Sequence, residues 1–150
     1  MNAQRLAAAR DLVEHVLERF HEAHRRDLPR IVALARNVEA GAGPAGFAAP
    51  FAALAEALEM HMFKEEMRLF PMMEQGGNSL IVQLIDDMQA EHRLHGDEIA
   101  HIEALLQALP AAAGAGTALA SLRAAWAGFR ADLAEHTQLE DARLFPMFRR

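Results

Sequence analysis

Two stretches of this chain repeat the same arrangement of histidine and glutamate, residue types that bind metal ions. Residues 58–72 read LEMHMFKEEMRLFPM, and residues 133–147 read LAEHTQLEDARLFPM. Each stretch places a Glu four residues after a His, which gives the pairs His61 and Glu65, and His136 and Glu140. Residues four apart lie on one face of a helix, and a single such pair is usually an exposed contact. Two copies at matching positions favour a metal site instead.

The apolar residues around these pairs predict that they face the protein interior. In the second predicted helix, Leu54 and Leu58 precede His61 at the spacing of a buried helical stripe, and the fourth predicted helix repeats this spacing. A buried, ionised Glu without a partner costs several kcal/mol or becomes neutral through a raised pKa. Two such Glu need a common compensating charge, and a pair of cations is the simplest one.

Two further His occupy matching places in the two halves of the chain. His21 and His92 are each followed three residues later by a second His, at His24 and His95. The chain therefore repeats a helix with a His followed by a helix with His-x-x-x-Glu, which predicts two halves about a pseudo-twofold axis. The predicted metal ligands are His21, His61, Glu65, His92, His136 and Glu140.

Counting these ligands suggests what the metal pair could bind. Four His give two imidazoles to each metal, and two bridging Glu add two oxygens to each. An oxo or hydroxo bridge would complete five-coordination and leave one position open for a diatomic such as O2 or NO. Imidazole and carboxylate suit iron, manganese or zinc, and we expect two iron ions. His24 and His95 are expected to form hydrogen bonds or line the pocket, and Glu66 and Asp141 to be solvated.

The elements that position these residues are predicted to be four helices. Helical periodicity and turn composition place them at about 3–40, 46–73, 79–109 and 117–146, with a loop at 110–116. Short connections imply an all-α, antiparallel up-down-up-down four-helix bundle within a single domain, 1–150. Pro29 lies inside the first helical pattern and should kink that helix or divide it near residues 27–28.

Composition narrows the class of protein and its location. The net charge is −6 with no long basic run, which argues against nucleic-acid binding. There is no Cys, which excludes disulfides and thiolate metal sites. The start of the sequence lacks a signal-peptide core, and no apolar run is long enough to span a membrane. We expect a cytoplasmic protein without membrane association.

The paired motifs resemble the hemerythrin-like, or HHE cation-binding, domain family over nearly the whole chain. Within that family the chain is most similar to the di-iron domain of proteins that repair iron–sulfur centres after nitrosative stress. The segments that carry this narrower resemblance are FHEAHR at 20–25, LARNVE at 34–39, GPAGF at 43–47, HMFKEEMRLFP at 61–71, MQAEH at 88–92, and ADLAEH and LEDARLFP within 131–146. The resemblance implies that the six residues named above bind iron.

The chain also departs from the repair family. That family carries one further His after the Val-Glu at the end of its first helix, whereas Val38-Glu39 is followed here by Ala40-Gly41-Ala42. The cysteines of that family are also absent. His95, one turn from His92, is a candidate substitute for the missing His.

Three functions follow from these patterns. We expect a di-iron protein that binds or senses O2 or NO, or handles iron under oxidative or nitrosative stress, including iron–sulfur centre repair. The alternative is a di-iron enzyme that reduces NO or activates O2 or peroxide. Ferritin-like oxidases use more carboxylates and the order Glu-x-x-His, so the His-rich set here favours ligand binding over catalysis. The third possibility is a metal-free helical scaffold.

Overall fold

Four long helices form an antiparallel bundle, which confirms the fold class predicted from the sequence. The computed structural model describes residues 1–41, 43–110 and 116–149, and none of these residues forms a strand. Most of the predicted loop at 110–116 lies outside the described residues. Successive contacts show the antiparallel order, because His21 meets Glu66 while Arg25, one turn later, meets Glu59. The first and fourth helices follow the same rule, since Phe20 contacts His136 and His24 contacts Phe129.

The first two long helices each contain a π-helical segment, in which the backbone is wound more loosely than in an α-helix. The first helix comprises Ala3–His15, the π segment Val16–His21 and Glu22–Gly41. The second comprises Ala49–Lys64, the π segment Glu65–Leu69 and Phe70–Glu74.

The second half of the chain repeats part of this plan. The third helix, Ile81–Ala108, is α-helical throughout. The fourth comprises Gly116–Leu139, the π segment Glu140–Leu144 and the 3-10 turn Phe145–Phe148. The third and fourth helices approach each other less closely than the other neighbouring pairs.

Pro29 does not divide the first helix, so that part of the sequence prediction is wrong. It lies inside the uninterrupted segment Glu22–Gly41. The irregularity of this helix occurs earlier, at Val16–His21. The neighbouring Leu28, Ile31 and Val32 are buried, and this packing stabilises the helix despite the backbone donor that Pro29 lacks.

Two apolar clusters fill the bundle and leave a polar layer between them. One cluster lies toward the end that contains Phe47, Phe51 and Trp126. The other contains Phe70 and Phe145, from the two Leu-Phe-Pro-Met stretches. The His and Glu residues of the repeated motifs lie between these clusters, so hydrocarbon isolates them from both ends of the bundle.

None of the helices in the described part of the chain combines the length and apolar character that a membrane crossing requires.

Candidate metal centre

The structure brings all six predicted ligand residues together in the polar layer, in two overlapping groups. His21 and His136 share one group with Glu65 and Glu140, and we call this group position A. His61 and His92 share the other group with the same two Glu, and we call it position B. Within each group the candidate ligand atoms lie within 4.8 Å of one another. One cation can therefore be enclosed at each position.

Each carboxylate presents one oxygen to each position. Oε1 of Glu65 lies 3.0 Å from Nε2 of His21, and its Oε2 lies 3.5 Å from Nε2 of His61. Glu140 does the same, with Oε2 3.1 Å from Nε2 of His136 and Oε1 3.0 Å from Nε2 of His92. This is the arrangement that two bridging carboxylates require, and it follows the pseudo-twofold relation of the two halves.

The unsatisfied polar atoms at the centre fit cations. Both Glu side chains are fully buried. Three oxygens of these two Glu and one nitrogen from each of two predicted ligand His lack a hydrogen-bond partner. The atoms are Glu65 Oε2, Glu140 Oε1, Glu140 Oε2, His61 Nε2 and His136 Nε2. Buried polar groups are seldom left unpaired, since each costs about 1–3 kcal/mol. These atoms are close to one another but poorly aligned for hydrogen bonds, as expected for ligands that converge on a third atom.

Burial makes the pair of carboxylates unfavourable without positive charge. Burial and the neighbouring carboxylate of Glu140 raise the pKa of Glu65 well above its ordinary value. Either protons or metal ions must supply the missing positive charge.

π-helical segments position three of the six residues, and the sequence pattern did not reveal them. One segment ends at His21, and the other two begin at Glu65 and Glu140. A π turn inserts an extra residue into the helical repeat and is frequent at functional sites. It changes the face along which the following residues point, so the Leu-Phe-Pro-Met stretches can close the end of the bundle after the Glu has turned inward.

Three of the four His are held from behind by a carboxylate, and we call such a partner the backing residue. Nδ1 of His21 donates to Glu66 at 2.6 Å, Nδ1 of His61 to Glu91 at 2.9 Å, and Nδ1 of His92 to Asp141 at 3.0 Å. Each bond fixes the ring and leaves Nε2 as the atom that faces the centre. The three carboxylate backing residues are therefore Glu66, Glu91 and Asp141.

The backing role corrects the expectation that Glu66 and Asp141 are solvated. Their side chains remain 25% and 36% exposed, but each binds a ligand His of another helix. The signal for this role was present in the sequence, because both repeats carry an acidic residue directly after the bridging Glu. Glu91, directly before His92, had no such repeated counterpart.

His136 differs from the other three because an imidazole backs it. Nδ1 of His136 lies 3.0 Å from Nε2 of His24, and both rings are buried. If Nε2 of His136 faces a cation, its Nδ1 carries the proton and donates to His24. Burial and the nearby His136 lower the pKa of His24 to about 3, so this imidazole is neutral near pH 7.

His95 lies beside position B and does not complete it. Its ring packs edge-on against His61 at 5.0 Å between centroids. With His61 and Glu91 it forms a third His and Glu group, but Glu91 already binds Nδ1 of His61 and the ammonium of Lys64. Its place is therefore that of a pocket-lining residue.

A surface cleft between the third and fourth helices extends as far as His92. It has a volume of about 180 Å³, and His92, His95, Gly96 and Thr137 are among its lining residues. A Cβ at Gly96 would meet no atom within 4 Å, so the absent side chain keeps this side of the cleft open. Position B is the side of the centre nearer to this cleft, because His92 belongs to it.

The chain matches one known protein family over most of its length. The model of the hemerythrin HHE cation binding domain matches residues 12–149. The iron-sulfur cluster repair protein YtfE of Yersinia pseudotuberculosis serotype IB (strain PB1/+) is 36% identical over 141 residues, which is 91% of this chain and 64% of that protein. YtfE of Yersinia pestis (strain Pestoides F) has the same identity and coverage. This chain thus spans less than two thirds of the length of the curated relatives it matches.

Proposed function

The chain belongs to the hemerythrin HHE cation binding family, and on that premise we propose that it holds two iron ions, at positions A and B, and binds a small diatomic molecule there. The proposed ligands are His21, His61, Glu65, His92, His136 and Glu140. The observation that carries this proposal is the presentation of one Glu65 oxygen and one Glu140 oxygen to each position.

The donor set admits iron, and the relatives, which are named iron-sulfur cluster repair proteins, favour it over other metals. Each position offers two imidazole nitrogens and two carboxylate oxygens, and no Cys is present anywhere in the sequence. Such nitrogen and oxygen donors suit iron, manganese or zinc, while thiolate would select softer ions. Bound iron would supply reversible one-electron chemistry and a free coordination position for O2 or NO.

In this proposal the protein residues bind the metal ions, exclude water and give access to a small molecule. The six ligand residues hold the cations, and the carboxylates of Glu65 and Glu140 balance part of their charge. Phe70 stacks on His21 at 5.8 Å and Phe145 stacks on His92 at 5.9 Å, so both rings keep water from the end of the centre. The cleft at Gly96 gives a small molecule a path to position B.

Anaerobic reconstitution with ferrous iron tests this function. We expect two irons per chain, an oxo-bridge absorption band after oxidation, and a spectral change when NO is added to the reduced protein. The matched variants are Glu140→Gln, which should lose iron, and Glu59→Gln, which changes a surface ion pair with Arg25 and should keep it. A chain that keeps full helicity but takes up no ferrous iron would contradict the proposal.

A second candidate function is delivery of iron to damaged iron–sulfur centres, and the relatives favour it. Their printed name is iron-sulfur cluster repair protein. The test is recovery of activity when an iron–sulfur enzyme damaged by NO is mixed with the iron-loaded chain, with the metal-free chain as control. Release of iron without recovery of activity would leave diatomic binding as the function. The cytoplasmic location and the single domain over 1–150 stay predictions.

A further inference from the structure

We propose that the two cation positions differ in the ionic charge that they favour, with the more highly charged ion at position B and the less highly charged ion at position A. This inference rests on the proposed function, since it concerns how the two metals are distinguished. The ligand atoms are of the same types at positions A and B and therefore do not distinguish the two metals. Each position has two Nε2 atoms, one oxygen of Glu65 and one oxygen of Glu140. The difference lies in the backing residues.

The backing residues of position A carry no net charge. His136 is backed by His24, a fully buried imidazole packed against Phe20 and Phe129. His21 is backed by Glu66, whose two oxygens accept hydrogen bonds from Arg25 at 2.7 and 3.1 Å. The guanidinium therefore cancels the only carboxylate behind position A.

The backing residues of position B carry one negative charge. Glu91 backs His61 and is paired with the ammonium of Lys64, so these two charges cancel. Asp141 backs His92, and within the described residues it forms no ion pair with Lys or Arg. Its other partner is the neutral amide of Gln89, 3.4 Å away. The oxygen of that amide accepts from Arg149, whose guanidinium is paired with Asp86. The carboxylate of Asp141 is therefore the charge that separates the two positions.

Charges farther out do not remove this difference. Glu59 contacts only the outer side of Arg25 and is 53% exposed, so its charge acts more weakly than that of Asp141, which contacts His92 directly and is 36% exposed. Arg19 near position A is paired with Asp132, and Arg130 near the cleft is paired with Glu103.

An anionic backing residue makes a ligand imidazole a stronger donor and stabilises a more highly charged metal ion. One additional unit charge behind a ligand His would favour the more highly charged ion strongly at an effective dielectric constant of about 20, but Asp141 is 36% exposed and partly screened by solvent, so we expect a preference of roughly fivefold.

Wild-type protein loaded with one equivalent of ferric iron and one of zinc gives the most direct test. Crystals are measured on both sides of the iron and zinc absorption edges, so that anomalous differences identify the metal at each position. The expected result is iron between His61 and His92 and zinc between His21 and His136. Equal mixtures at both positions, or the reverse order, would overturn the inference and leave the proposed function intact. A protein that binds neither metal would instead contradict the proposed function.

A second test in solution uses the di-iron protein and a one-electron reductant such as dithionite. The first electron converts the diferric centre to Fe(II)Fe(III), and the second converts it to the diferrous form. If position B retains ferric iron longer, Asp141→Asn should raise the potential of the second step and leave the first nearly unchanged. Glu66→Gln should raise the first step instead, and Glu59→Gln should move neither.

Equal shifts of both steps in Asp141→Asn and Glu66→Gln would show that the electron is shared, and would refute the inference. Iron content is measured for every variant, so loss of metal is recognised separately. Should Asp141→Asn release iron, Glu91→Gln provides the same comparison at His61.

Discussion

Replacing Glu65 by Gln should change stability in opposite directions with and without metal. Gln has nearly the same shape, so packing in the fully buried site is preserved while the ionisable group is removed. Without metal, the substitution abolishes a buried carboxylate beside Glu140, and relief of a poorly compensated buried polar group is worth about 1–3 kcal/mol. In a chain of 150 residues, each 1 kcal/mol corresponds to a change in Tm of roughly 2–4 °C.

The pH dependence of this effect follows from the sign of the pKa shift. Burial and Glu140 raise the pKa of Glu65 above the ordinary value of 4.5. At this group the folded, metal-free protein therefore keeps a proton that the unfolded chain releases, and the contribution of Glu65 to stability falls as pH rises above that value. The advantage of Glu65→Gln over wild type should be absent at pH 4 and grow toward neutral pH.

With ferrous iron the order should reverse. Glu65 offers one oxygen to each cation position, so its loss weakens both. At a free metal concentration of about 100 times Kd, bound metal raises the free energy of unfolding of wild type by about 2.7 kcal/mol. The variant lacks this increase. The assay is urea unfolding under argon, with chelator and with ferrous iron, and Glu59→Gln is the control that should follow wild type in both conditions. If Glu65→Gln destabilised the protein equally in both conditions, the buried carboxylates would be a structural network and the metal argument would fail.

Three further predictions test other parts of the structure. Gly96→Leu should fill the cleft beside His92, slow NO binding in stopped-flow measurements without lowering iron content, and stabilise the helix by up to about 1 kcal/mol. Burial lowers the pKa of His95 to about 4, so the contribution of this group to the stability of the metal-free protein should be lost as pH falls from 6.5 toward 4, because the unfolded chain gains the proton first; between these pH values His95→Gln should gain stability relative to wild type in pH-dependent urea unfolding. Leu54→Ala, in the apolar cluster away from the centre, should cost about 2–5 kcal/mol in urea unfolding while iron content stays at the wild-type level.

The helical bundle could be predicted because its signals are local and repeated. Helical periodicity, turn composition and the duplicated stretches at 58–72 and 133–147 define four helices and the faces that meet. The placement of Glu65 and Glu140 on those faces also follows from spacing alone. Since the two halves carry the same pattern, each half supports the interpretation of the other.

The remaining features depend on contacts between helices. The π segments that begin at Glu65 and Glu140 have no recognised sequence signature, because they arise where packing and the buried centre outweigh regular backbone hydrogen bonding. The backing of His61 by Glu91 joins residues thirty positions apart on different helices. Pro29 shows the reverse case, in which a strong local signal for a break is overridden by the packing of a long helix.

Calorimetric titration of the metal-free protein with ferrous iron under argon tests the central claim most directly. Wild type should bind two irons per chain, and the double variant Glu65→Gln and Glu140→Gln should bind none while retaining wild-type helicity. Full helicity in both proteins with no iron uptake by wild type, or with equal uptake by both, would contradict a di-iron centre built on these two carboxylates.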